Sequence, residues 1–111
     1  MKAFIKKKTP QFVESLLTEK AHLRDNDEKL VANVLYQFLM LGKHDPHTIS
    51  AFQLLNLYAD GNLPTVDYIT RIRRKLQETN PVLRGLLYST RQNKSSKVKN
   101  NINTKGIDEV L

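Results

Sequence analysis

Apolar residues recur at helical spacing in four stretches of the chain, and each stretch opens on a capping signal. Thr9-Pro10 reads as an N-cap followed by proline at the first helical position, where a missing N–H has no intrahelical partner to lose. Phe12, Val13, Leu16 and Leu17 follow, so the spacing predicts a first helix from Pro10 to about Ala21 with Glu14, Ser15 and Thr18 facing solvent. Asp25-Asn26-Asp27-Glu28 is a denser start signal, with Asp25 or Asn26 able to cap and Asp27 and Glu28 favoured at the positive end of the helix dipole. Behind it, Leu30, Val31, Val34, Leu35, Phe38 and Leu39 form one continuous stripe, which predicts a core helix ending at Gly42 in a left-handed cap.

Lys43-His44-Asp45-Pro46-His47 reads as a loop, and Thr48 as the cap of a third helix carrying Phe52, Leu54, Leu55, Leu57 and Tyr58 and stopping at Asp60-Gly61. Phe12, Phe38 and Phe52 all fall on apolar stripes and are expected in the core. Pro64-Thr65 starts a fourth helix, from Val66 to about Glu78, which Asn80-Pro81 ends. Gly85 to Thr90 fits either a strand or a helical turn. From Gln92 onward Asn, Lys and Ser dominate, and such a segment buries too little apolar surface to offset the entropy of ordering it. No internal repeat stands out. The expected fold is mainly α: a four-helix helix-turn-helix domain over residues 9–91, with room for a short C-terminal wing. A basic arm (1–8) precedes it and a flexible basic tail (92–111) follows.

Composition narrows the function. A chain of 111 residues holds one modest core, too small for a Rossmann domain or a barrel enzyme. Without cysteine there is neither a disulfide framework nor a thiolate zinc site. The longest apolar run, Phe38 to Leu41, is far below the roughly 20 residues of a membrane span. The basic start, Met1 to Lys8, has no apolar signal-peptide region, so the chain is expected to stay in the cytoplasm where it is made. The net charge of +7 is unevenly spread, with +1 over residues 1–64 and +6 over 65–111. Such a concentration attracts polyanions.

On a helical wheel the fourth helix gathers Val66, Ile69, Ile72 and Leu76 on one side, with Tyr68 at the border. Thr70, Arg71, Arg74, Gln77 and Glu78 lie on the other, and Arg73 and Lys75 at the margins. Tyr68 and Tyr88 are the aromatic residues expected at the surface, beside the basic segment. A donor-rich face of this kind suits a DNA recognition helix: Arg pairs with the guanine edge, Gln with adenine, and Thr with a phosphate or a thymine methyl. The candidate nucleic-acid contacts are therefore Thr70, Arg71, Arg73, Arg74, Lys75 and Gln77. Arg84, Arg91, Lys94, Lys97 and Lys99 are added as phosphate contacts. Together with the preceding helix and a somewhat long turn from Asp60 to Pro64, this makes a helix-turn-helix order.

The block from Thr70 to Gly85, with its R-x-R-R-K-x-Q-E core and N-P-x-L-R-G turn, resembles the C-terminal part of a group of small phage and prophage proteins. Arg24 to Val31 is similar to the helix start upstream in the same group. The resemblance extends from Arg24 to Tyr88. It implies a winged-helix-like or helix-turn-helix fold and a mobile-element origin, which would place the protein in a bacterial host's cytoplasm; it implies no catalytic activity.

Other chemistry is thin. His44-Asp45-Pro46-His47 offers part of a divalent-ion site, but a structural site wants about four ligands and His22 is the only other histidine. Asp25, Asp27 and Glu28 are explained as caps and lack the glycine and distal glutamate of a calcium loop. No P-loop, G-x-S-x-G or G-x-G-x-x-G is present. The sequence thus leads to a DNA-binding protein of phage or mobile-element type, with no enzyme activity, cofactor or metal expected. The alternatives are a small phage protein that docks on a host or phage protein, through the terminal Ile107-Asp108-Glu109-Val110-Leu111, and a component of a phage particle.

Overall fold

A computed structural model describes residues 2–89 as four α-helices joined by tight turns, and no strand occurs among them. The helices are α1 (Ala3–Glu19), α2 (Asp27–Leu41), α3 (Ala51–Ala59) and α4 (Val66–Thr79). Single 3-10 turns follow α1 (Ala21–Asp25) and α4 (Pro81–Leu83). The segment expected as a wing continues as irregular chain and turn through Gly85–Leu87.

α1 starts well before the expected Thr9-Pro10 cap. Pro10 lies inside the helix, and the basic arm from Ala3 to Lys8 forms its first turns. Proline has no N–H for the carbonyl four residues back, which leaves Lys6 O without its helical donor. The Tyr68 hydroxyl on α4 supplies one at 3.0 Å. Thr9, fully buried, does not cap; its hydroxyl donates to Ile5 O at 2.6 Å. A long-range hydrogen bond thus lets α1 run through a proline that local rules read as its start.

α2 begins as expected, with Asn26 Oδ1 accepting from the Lys29 N–H. Its end differs by one residue. Gly42 keeps a right-handed φ of −82°, and Lys43 takes the left-handed position at φ 61°. The bonds His44 N–H to Leu39 O and Lys43 N–H to Met40 O close a Schellman motif around that lysine. α3 closes in the same way around Gly61 at φ 78°. Its N-cap is Ser50, not Thr48, because Asp45 already organises the turn before it, accepting from the His47 N–H through its side chain and from Thr48 and Ile49 through its carbonyl.

The core is built where α1, α2 and α4 meet. α1 contributes Ile5, Val13, Leu16 and Leu17, α2 contributes Leu30, Val34, Phe38 and Leu39, and α4 contributes Ile69. Leu23, Leu63 and Leu83 from the turns complete it. Each such aliphatic side chain contributes on the order of 1.5–3 kcal/mol. Phe12 packs edge-on against Phe38 with ring centroids 4.9 Å apart. The expectation fails for Phe52, which is 78% exposed. α3 buries no residue at all; only Leu54, Leu57 and Tyr58 reach partway into the core, so its stripe turns Phe52 outward.

Candidate nucleic-acid interface

α4 is fixed at its start by Thr65, whose hydroxyl accepts from the Tyr68 N–H, and by Asp67 in the first turn. Its buried positions are Ile69, Arg73 and Gln77. This rotates the helix relative to the wheel drawn from the sequence, and two expected base-reading side chains point inward. Arg73 is 6% exposed and its guanidinium meets Asp27 in a two-point contact, Nε to Oδ1 and Nη2 to Oδ2, both 2.9 Å. Gln77 is fully buried. Its amide Nε2 donates to Arg24 O at 3.0 Å and to Leu83 O at 3.2 Å, while its Oε1 accepts from Arg73 Nη1 at 3.2 Å. Arg73 and Gln77 therefore leave the candidate set: their hydrogen-bonding groups are committed inside the protein. The reason is polar satisfaction, since these buried carbonyls need donors and a buried guanidinium needs its carboxylate.

Arg84 has a similar internal task. Its Nε donates to Gln77 O at 2.6 Å and its Nη2 to Glu78 O at 3.0 Å, which satisfies carbonyls at the C-terminal end of α4. Tyr88 stacks beneath it, 4.4 Å from ring centroid to guanidinium carbon. Arg24 repeats the arrangement at the end of α1, donating to Leu17 O at 2.7 Å and to Thr18 O at 3.5 Å. Each of these two helices thus ends in a 3-10 turn closed by a buried leucine and an arginine that folds back, Leu23-Arg24 and Leu83-Arg84. Gln77 joins the two turns by donating to both.

Asp25 ties the same corner from outside. Its carboxylate accepts from the N–H groups of Leu86 and Leu87, at 2.9 and 3.0 Å. A Cβ at Gly85 would fall on that carboxylate, well inside van der Waals contact. Gly85→Ala is therefore expected to displace Asp25 and destabilise the fold by about 1–2 kcal/mol, the worth of one or two hydrogen bonds to a charged group at a partly exposed site. Asp25→Ala should cost the same, and the double variant no more than either single. Chemical denaturation of the three variants tests this; fully additive losses would contradict it.

Outward from α4 stand Arg71, Arg74 and Lys75, all exposed, with half-buried Thr70 at the edge. Arg71 Nη2 reaches Asp67 Oδ2 at 2.8 Å across one helical turn, a solvated pair that a competing anion easily opens. The Thr70 hydroxyl donates to Asp67 O. Arg74 and Lys75 take part in neither of the two ion pairs formed among the described residues. The Tyr68 to Lys6 bond holds the first turns of α1, with exposed Lys6 and Lys7, beside the start of this helix. Arg91, Lys94, Lys97 and Lys99 lie outside the described residues, as do the basic tail and the terminal docking segment.

Local sequence rules assign Asp25 and Asp27 to capping and give Arg24 no role. The signal that is present is the Leu-Arg pair recurring 60 positions apart, Leu23-Arg24 and Leu83-Arg84, each just after a helix.

No group of three or more histidine, aspartate or glutamate side chains is placed to hold a metal ion among the described residues. No helix among them is long and apolar enough to cross a membrane. What the fold and this surface define is an all-helical protein with a basic outer helix. Comparisons of the chain with protein-family models, with curated proteins and with solved structures give no match.

Proposed function

We propose that the chain binds DNA through the outward face of α4. The observation that carries the reading is the division of this helix. Arg73 and Gln77 lock its inner side by contacts to Asp27, Arg24 and Leu83, while Arg71, Arg74 and Lys75 are left together on the outer side. A helix held so firmly needs little backbone ordering when it binds, which favours a preorganised contact with phosphates and groove edges. Thr70 extends the contact on one side, and Lys6 and Lys7 extend it along α1. α3, the turn from Asp60 to Thr65, and α4 form the helix-turn-helix of this proposal, and a phage or mobile-element origin is part of it.

The test is fluorescence anisotropy with labelled random-sequence duplex across about 50 to 200 mM salt, where phosphate contacts show as a linear fall of log affinity with log salt. A steep fall is expected. Absence of binding at the lowest salt would overturn the proposal.

A further inference from the structure

We infer that α3 is a self-association surface through which two copies of the chain pair. The helix is anomalous in two ways. None of its nine residues is buried, and Phe52 and Leu55, 78% and 66% exposed, stand on its outer side. It is also the only one of the four described helices with no charged residue, inside a stretch from Pro46 to Ala59 that contains no Asp, Glu, Lys or Arg. An exposed apolar helix is ordinarily covered by something.

Charge identifies the cover as a second copy. Around a two-fold axis the same patch of both copies meets, so a patch dense in one sign of charge opposes its own copy. In a chain of net charge +7, this disfavours the basic faces. α1 presents Lys6 and Lys7, and α4 presents Arg71, Arg74 and Lys75. The outer stripe of α3 is instead Phe52, Leu55, Asn56 and Ala59, all exposed. Apolar groups accept their own copies, and so does an amide, which carries both donor and acceptor.

The stripe is also self-complementary in size. An antiparallel pairing centred between Leu55 and Asn56 sets each Phe52 ring over the small Ala59 of the other copy, a large side chain against a small one. A nine-residue helix is only about 14 Å long, which gives less than the roughly 800 Å² per partner of a standard interface. The dimer is therefore weak and concentration-dependent. This inference does not rest on DNA binding, and its test contains no DNA.

Sedimentation of the full chain over about 10 µM to 1 mM, the span in which a contact below standard size dissociates, reads the pairing directly. The expected particle mass rises with concentration from 12.8 kDa toward twice that value. Phe52→Lys, at a position too exposed to affect folding, should weaken association at least about tenfold, since it removes the ring that packs on Ala59 of the other copy and sets a charge into an apolar contact. Because the chain has no cysteine, Asn56→Cys should give a disulfide-linked dimer on mild oxidation, and Glu14→Cys on the exposed face of α1 should not. Monomer at every concentration, as expected if another protein covers α3, would overturn the inference. So would a Phe52→Lys chain that associates like its parent, or equal cross-linking at positions 14 and 56.

Discussion

Replacing Asp27 by alanine should destabilise the protein by about 3 kcal/mol, the lower part of the range for removing one partner of a buried ion pair. The partner left behind is Arg73, whose side chain retains 7% of its accessible surface, with only the Gln77 carbonyl still accepting from it. Asp27 itself keeps 32%, so some water reaches the pair and the cost stays below the upper limit. For a domain of this size the loss corresponds to a melting temperature lower by on the order of 15 °C. Asp27 also sits in the first turn of α2, where any acid interacts favourably with the dipole. Glu28→Ala removes the same kind of charge from the same turn without touching Arg73, and should cost only about 0.5 kcal/mol. Thermal unfolding of both variants separates the two effects. Equal losses would mean that the Arg73 contact contributes nothing beyond the dipole. Exchanging both members, Asp27→Ala with Arg73→Met, should recover part of the loss, because no buried charge then remains unpaired.

The second large effect concerns the opposite side of α4. Converting Arg71, Arg74 and Lys75 together to alanine should reduce the salt slope of DNA binding by about 3, close to one unit for each phosphate no longer neutralised. Near 0.15 M salt this amounts to about a hundredfold weaker affinity, given roughly 0.9 counterion released per neutralised phosphate. Thermal stability should change little, since all three side chains are exposed and the Arg71 to Asp67 pair is a solvated one. Among the single changes, any that reads a base should also alter sequence preference, by about 1–3 kcal/mol at its position. A triple variant that binds with unchanged slope would place the polyanion contact elsewhere on the chain.

The four helices and the N-caps of α2 and α4 are legible in the sequence because they depend on neighbours a few positions apart. Asn26 and Thr65 both accept from backbone N–H groups three residues ahead, and apolar spacing marks α2 without ambiguity. The errors arise where distant residues decide. Pro10 reads as a helix start unless Tyr68, 62 positions away from Lys6, is known to supply the missing donor. Gln77 reads as a solvent-facing amide on the wheel, yet the carbonyls of Arg24 and Leu83 draw it inward. Arg73 occupies a margin of that wheel, and only the arrival of Asp27 from α2 decides which way it turns. Phe52 illustrates the converse. Its spacing is that of a core residue, but the helix that carries it is presented to the three-helix core along its Leu54, Leu57 and Tyr58 side. Periodicity identifies which residues share a face; it does not specify which of two apolar edges finds a partner.

The candidate site divides along the same line. The exposed positions of Arg71 and Arg74 are evident from the wheel, because they oppose Ile69 and Leu76 on a regular helix, whereas Lys75 falls at its margin. The internal roles of Arg73, Gln77, Arg84 and Asp25 are not, since each serves a carbonyl, an N–H or a charge contributed by another segment. Polar residues that satisfy a buried corner and polar residues that meet a ligand are the same types in the sequence.

The sharpest check on that division compares two arginines one position apart, Arg73→Met and Arg74→Met, by melting temperature and DNA affinity together. Methionine retains much of the aliphatic stem and removes the charge. Arg73→Met is expected to melt several degrees lower and to bind DNA as the parent does while folded, whereas Arg74→Met should melt unchanged and bind more weakly with a shallower salt slope. The division of α4 into a locked inner side and a DNA-binding outer side would be refuted if Arg74→Met bound DNA with parental affinity and slope, or if folded Arg73→Met lost as much affinity as Arg74→Met.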